Sequence, residues 1–159
     1  MANNSPVLAS VTIQINKYEP YKVANGKNDA TFFVASDDID MEDLQRYRQE
    51  TKTECLIAIN TTNKNYDCLE LADNVISCSL DEVQLVMQAF QLLHSGSGFI
   101  GMDWNEVKWA ISGNKNIEFL YGVAGGENCV AFACEQFISK LQRLSSNYPI
   151  KKMVLSPLL

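Results

Sequence analysis

The chain has 159 residues, enough to bury the core of one domain, and its 47% hydrophobic and 20% charged content is that of an ordinary globular protein rather than a disordered or fibrous one. A formal net charge of −6, with basic clusters no larger than Arg46/Arg48 and Lys151/Lys152, excludes an electrostatic footprint for nucleic acid or an anionic membrane surface. No apolar run approaches the length that crosses a bilayer.

Taken in order, residues 1–6 are polar and expected to fray. Over 7–18, Val11, Ile13 and Ile15 alternate with Thr12, Gln14 and Asn16, which predicts a half-buried strand. The same polar residues interrupt the first apolar stretch, and no basic segment precedes it, so no signal peptide is expected. A loop with Pro20 and the Asn25-Gly26 pair leads to a continuous apolar strand over 30–35. A helix follows with Asp40 as cap, Asp43 at its third position, and Arg46 and Arg48 nearer its end, an order that suits the helix dipole. Residues 54–60 read as a second buried strand, 66–72 as one or two helical turns, and 73–77 as a third strand.

At Ser79, with Glu82 three residues on, a capping box opens the longest apolar helix. From Val83 to Leu93 it carries no charge, and Gln84, Gln88 and Gln91 make its only polar strip. A helix apolar almost all round is expected to pack on more than one side, so this one reads as a long buried central helix, the spine of the fold. His94, the only histidine, closes it. A short helix over 104–112 stops at Gly113, a strand runs over 116–123, and Gly125-Gly126 turns the chain into a helix over 127–143. The apolar stripe of that helix is Val130, Cys134, Phe137, Ile138, Leu141 and Leu144. Beyond Pro149, residues 150–156 read as a last strand. Strands and helices alternating in this way predict an α/β fold, a compact mixed or parallel sheet packed with helices, in one compact domain over 1–159. The fold then divides into a truncated nucleotide-fold-like half, 1–79, and a second half, 80–159.

Few residues carry obvious chemistry. Five cysteines, none in a CxxC, are expected as reduced thiols, mostly buried, in a cytoplasmic protein. Asp37, Asp38, Asp40, Glu42 and Asp43 lack the glycine and terminal glutamate of a calcium loop, and capping accounts for them better than metal. Neither a metal nor a cofactor is expected. Trp104 and Trp109 lie five apart on one short helix and cannot share a face, so one is expected against the spine and the other exposed, marking an interface.

Two segments carry a resemblance. Gly98-Phe99-Ile100-Gly101-Met102-Asp103-Trp104-Asn105-Glu106-Val107 resembles the loop after the central helix of the bacterial tubulin-like cell-division GTPases (FtsZ), Gly-Leu-(Ile/Met)-Asn-x-Asp-Phe-x-Asp-(Val/Ile). Gly122-Val123-Ala124-Gly125-Gly126-Glu127, with Ala131, Ala133, Glu135 and Ile138 beyond, resembles that family's Gly-x-Ala-x-Gly-Glu strand-to-helix turn. The similarity covers about 80–138, and it identifies the second half as central helix plus FtsZ C-terminal-domain-like half.

In that family the loop's two carboxylates enter the GTP site of the next subunit in a filament. On this chain they fall on Asp103 and Glu106, with Gly101 in place of the family's Asn and Glu in place of its second Asp. A longer acid shifts its oxygens by about one methylene, which spoils a reaction that depends on placement. Asp103 as helix cap with Glu106 at the third position is itself a capping box, so both are read as vestigial. The phosphate-cradling glycine loop of the family is absent from the sequence, and Gly125-Gly126 is followed by Glu127, the wrong charge for an anion nest.

The resemblance therefore implies a GTPase-deficient, non-catalytic protein–protein interaction or assembly module. It would dock through Gly98, Gly101, Asp103, Trp104, Glu106 and Trp109 on itself or on an FtsZ-type GTPase and modulate the filament. The alternative is a small α/β ligand-binding domain or enzyme with its pocket at the strand ends near 36–38 and 60–63. A third is a bare self-associating scaffold, a homo-oligomer with no other partner.

Overall fold

The computed structural model describes residues 15–20, 26–62, 64–94 and 104–146. Five parallel strands, β1 (Ile15–Lys17), β2 (Ala30–Val34), β3 (Cys55–Asn60), β4 (Asn74–Ser77) and β5 (Asn116–Glu118), pair in the order of the chain, β1-β2-β3-β4-β5. The register runs Ala30 opposite Cys55, Ile57 opposite Asn74 and Val75 opposite Asn116. The expected strands over 7–14 and 150–156 lie outside the described residues. No helix among the described residues is long and apolar enough to cross a membrane.

The central strands are apolar on both sides because both faces are covered, as parallel sheets require. On one face, Phe33, Ala35, Leu56, Ala58 and Val75 pack under helix α1 (Met41–Glu50) and the short 3-10 turn Asp67–Glu70. Asp40 caps α1 through the amides of Glu42 and Asp43, at 2.9 and 3.2 Å. Asp43 is itself buried, bonded by the Tyr18 hydroxyl and paired with Arg46, and the Tyr18 and Tyr47 rings meet edge to face at 5.3 Å. On the other face, Ala30, Phe32, Ile57, Ile59 and Ile76 pack under α2 (Val83–His94) and α3 (Trp104–Ile111), and Phe32 meets Phe90 at 4.9 Å. The left-handed Gly113, at φ 75°, ends α3 as expected.

The capping box before α2 forms as the spacing requires: Glu82 accepts from the Ser79 amide at 2.7 Å. The helix it opens is less enclosed than its composition suggests. Val86 and Met87 are buried, Val83, Leu85, Ala89 and Phe90 half-buried, and Gln84, Gln88 and Gln91 exposed. For the residues whose side chains are described, α2 is thus a helix laid on one sheet face, and burial on more than one side is not seen.

The strand order has a geometric consequence. From β2 to β4 the connections run over the α1 face, whereas the connection from β4 to β5 runs over the α2/α3 face. The sheet nevertheless keeps adding strands in one direction. Two parallel crossovers that advance the same way over opposite faces have opposite hands, so one of them departs from the right-handed rule.

The last helix, α4 (Cys129–Ser145), also differs from expectation. Its apolar stripe is present, yet no residue of it is buried: Val130, Cys134 and Ile138 are exposed, and Phe137, Leu141 and Leu144 only half-buried. The expected strand over 116–123 stops at Glu118. Past it the backbone turns to α4 for its partners: Tyr121 O accepts from Lys140 Nζ at 2.9 Å, and Val123 N donates to Gln136 Oε1 at 3.3 Å.

Candidate functional site

The carboxyl ends of the strands are where an α/β sheet of this kind offers a crevice, at the place where neighbouring connections leave for opposite faces. Here that place lies between β3 and β4. Its walls are 60–62 and Lys64 after β3 and 78–82 after β4, bridged by Cys78 N donating to Asn60 O at 3.2 Å. The polar groups there are engaged with one another. Asn60 Oδ1 accepts from Thr62 N at 3.2 Å, Asn60 Nδ2 donates to Lys64 O at 3.1 Å, and Thr62 Oγ1 donates to the Tyr66 hydroxyl at 3.2 Å. Lys64 pairs with Asp37, which holds the ammonium above its ordinary pKa. Asn63 lies outside the described residues. The result is a self-satisfied turn, as expected for an Asn-Thr-Thr loop.

Beside it, Glu82 ties three elements together. Its carboxyl is held below the ordinary range first by the Ser79 amide, then by the Ser79 hydroxyl, with a further bond from Tyr121. The Glu82 charge in turn pushes the Tyr121 phenol up. Tyr121 also stacks on Phe119 at 5.8 Å and lies under Lys140 at 4.1 Å. The segment after β5 is thereby clipped to the start of α2 and to the middle of α4.

The residues singled out for docking separate in space. Trp104 is in the core with Val86, Met87 and Val107, so it supports α3 from beneath and presents no accessible ring. Its indole N–H is buried with no acceptor among the described residues. Trp109, 67% exposed, and Glu106, also exposed, are on the outward side of the same helix. The five-residue spacing therefore sends the two rings apart, as read from the sequence. Gly98, Gly101 and Asp103 lie outside the described residues, and so does the side chain of His94. What holds α3 in place was not legible beforehand. Buried Asn74 donates to the carbonyls of Ile111 at 3.0 Å and Asn114 at 2.7 Å, and Glu54 accepts from Lys108 and Lys27, each at 2.9 Å. Only a polar residue inside an apolar strand, Asn74-Val75-Ile76, hinted at the first of these.

Burial, helped by the Asp73 charge, pushes the Cys55 thiol up to about 12, and burial raises Cys68 and Cys78 as well. The described cysteines are all free thiols, with Cys55 and Cys68 buried and Cys134 exposed. No group of three or more potential metal ligands occurs among the described residues. Asp37, Asp40 and Asp43 are engaged in an ion pair, a helix cap and a buried hydrogen bond, respectively.

What stands open is apolar surface on the second half of the chain. Val123, Val130 and Phe132 are 65%, 67% and 53% exposed, and a shallow groove between Val123 and α4 is lined by Phe132, Glu135, Gln136 and Arg143. Large exposed apolar side chains concentrated on one helix and its flank mark an interaction surface more often than a reaction site. Comparison with known proteins finds no matching family model, no matching curated protein and no matching solved structure.

Proposed function

We propose that the protein is a non-catalytic interaction and assembly module of tubulin/FtsZ-like descent that docks through 98–109 on an FtsZ-type cell-division GTPase or on a further copy of itself. The observation that carries this reading is α3, anchored from beneath by Trp104 while Trp109 and Glu106 project outward immediately after the loop that resembles the family's inter-subunit contact. Further support comes from the order strand, α2, α3, strand, α4, and from a sequence without the family's phosphate-cradling glycines. A chain with the contact loop and no nucleotide cradle would bind a filament neighbour and alter its hydrolysis without turning over GTP. The test is copelleting with polymerised FtsZ, together with GTP turnover, for the wild type, Trp109→Ala and an Asp103→Ala/Glu106→Ala double variant. Copelleting that the variants weaken supports the reading; absence of copelleting and of any change in turnover removes it.

The diverging exits at β3 and β4 favour a second reading, a small ligand held near Asn60 and Ser79. A thermal shift of the purified protein on adding nucleotides or small polar metabolites, abolished by Asn60→Ala, would promote it over the first.

A further inference from the structure

We propose that Asn74 is the positioning residue of the α3 docking face: it fixes how α3 is turned on the sheet, and so sets Trp109 outward, without meeting a partner itself. The inference rests on the reading that α3 docks, yet its first two readouts need no partner. α3 has eight residues, about 12 Å, too short to hold its own shape in water, so its place comes from what anchors it. Trp104, Val107 and Ile111 press it onto the sheet. Apolar contact is non-directional and leaves a helix able to roll or slide. The Lys108–Glu54 pair is directional, but its side chains are 35% and 36% exposed, and water weakens such a pair. The buried directional anchor is Asn74, 4% exposed, at the start of the apolar strand β4.

Asn74 brackets the end of the helix. Its Nδ2 donates to the carbonyl oxygen of Ile111, in the last turn of α3, at 3.0 Å, and to that of Asn114 at 2.7 Å. The two carbonyls stand on either side of Gly113, the left-handed residue that ends the helix. The next residue of the strand, Val75, donates its amide to Lys115 O at 2.6 Å, where the β4–β5 ladder begins. The end of α3, the turn and the start of β5 are thus held to one point on β4. The other end of the amide is fixed as well. Cys55 Sγ donates to Asn74 Oδ1 at 3.4 Å, and burial pushes that thiol up to about 12, so it stays a donor and leaves Nδ2 for the carbonyls. Trp109 comes two residues before Ile111, about 160° away round the helix. With Ile111 buried and its carbonyl bonded to β4, the Trp109 ring is turned away from the sheet, in line with its 67% exposure.

Two variants of the full chain test this. Asn74→Asp keeps the shape of the side chain but turns an oxygen toward the two carbonyls, and Asn74→Ala removes the donors without adding charge. Hydrogen exchange at pH 7 should speed up by about tenfold or more over 104–118 in both, with β2 and β3 unchanged. The second readout is acrylamide quenching of buried Trp104 in a Trp109→Phe background, which both variants should raise at pH 7. The groups around the introduced carboxyl are the Cys55 thiol, Asp73 with its partner Arg48, and Glu54 with Lys27 and Lys108. Buried and facing two carbonyl oxygens, it titrates above the ordinary aspartate value of about 3.9. Lowering the pH from 7 to 5 gives it back a proton to donate, so quenching should fall again in Asn74→Asp and stay raised in Asn74→Ala. Lost packing alone would not produce that recovery. The third readout is copelleting with FtsZ at pH 7, which should weaken by about tenfold or more in both variants although Trp109 and Glu106 are unaltered. Unchanged exchange in α3, exchange raised equally in β2 and β3, or no recovery at pH 5 overturns the positioning role. Full copelleting by a variant whose α3 has loosened overturns it too. A wild type that does not copellet removes the docking reading, and exchange and quenching then decide by themselves whether Asn74 sets α3.

Discussion

Helices α1 and α4 make an instructive pair. α1 has ten residues, mostly polar, yet it buries Leu44, Tyr47 and even the carboxylate Asp43. α4 has seventeen, carries a longer apolar stripe, and buries none. Hydrophobicity alone does not decide burial; the surface available opposite the helix does. α1 lies over β2 and β3, whose side chains fill its narrow stripe, and its polar exceptions are bonded. α4 rests on the irregular segment after β5, which is too narrow to cover it, and the remainder of its stripe stays open.

The contrast can be broken or sharpened by substitution. Leu44→Ala empties a fully buried site beneath α1 and should cost about 2–5 kcal/mol in urea-unfolding free energy. Gly122→Ala should act on the other region: an added Cβ would sit 2.0 Å from the Ala133 carbonyl oxygen, and neither backbone can yield without moving α4. The expected cost is about 1–3 kcal/mol, seen as lost hydrogen-exchange protection in α4 while β2 and β3 keep theirs.

A smaller effect lies where the two regions join. Glu82→Ala removes the capping box and the Tyr121 bond together, and should cost about 1 kcal/mol at neutral pH. Because the folded carboxyl is depressed below the ordinary glutamate value of 4.5, its contribution is fully present above that pH. It is lost as pH falls through the lower folded value, so wild type and variant should converge there in chemical denaturation measured across pH 3–7 (roughly the window set by the carboxylate). Smallest of all, Ile138→Ala should change monomer stability by no more than about 0.5 kcal/mol, since the side chain is already half in water.

Much of the first region was legible in the residues. Unbroken apolar runs such as Ala30-Thr31-Phe32-Phe33-Val34 belong to strands buried on both faces, and Asp40 and Ser79 announce the helices they precede, because caps and two-sided burial are local matters. The second region was less legible because its outcome depends on distant partners. The early end of β5 follows from Lys140 and Gln136 claiming the backbone beyond it, and the exposure of Val130 and Ile138 follows from what α4 lacks opposite. The same holds for the candidate surface: the divergence of Trp104 and Trp109 could be read from their spacing, whereas the choice of Trp104 as the inward one is set by the pocket that α2 and β2–β4 provide. The face over which each connection travels leaves no mark on periodicity at all.

The one-after-another strand order also says something about how the domain is built. Each strand from β2 to β4 finds its neighbour within a few tens of residues, so the sheet can lengthen step by step as chain becomes available, with modest loop-closure cost. Only the final step, seating β5 against β4 across the detour through α2 and α3, spans a longer separation. Until it is taken, β4 presents an unpaired row of amides and carbonyls, and that interval is when a nascent molecule is most exposed to misassociation with its siblings.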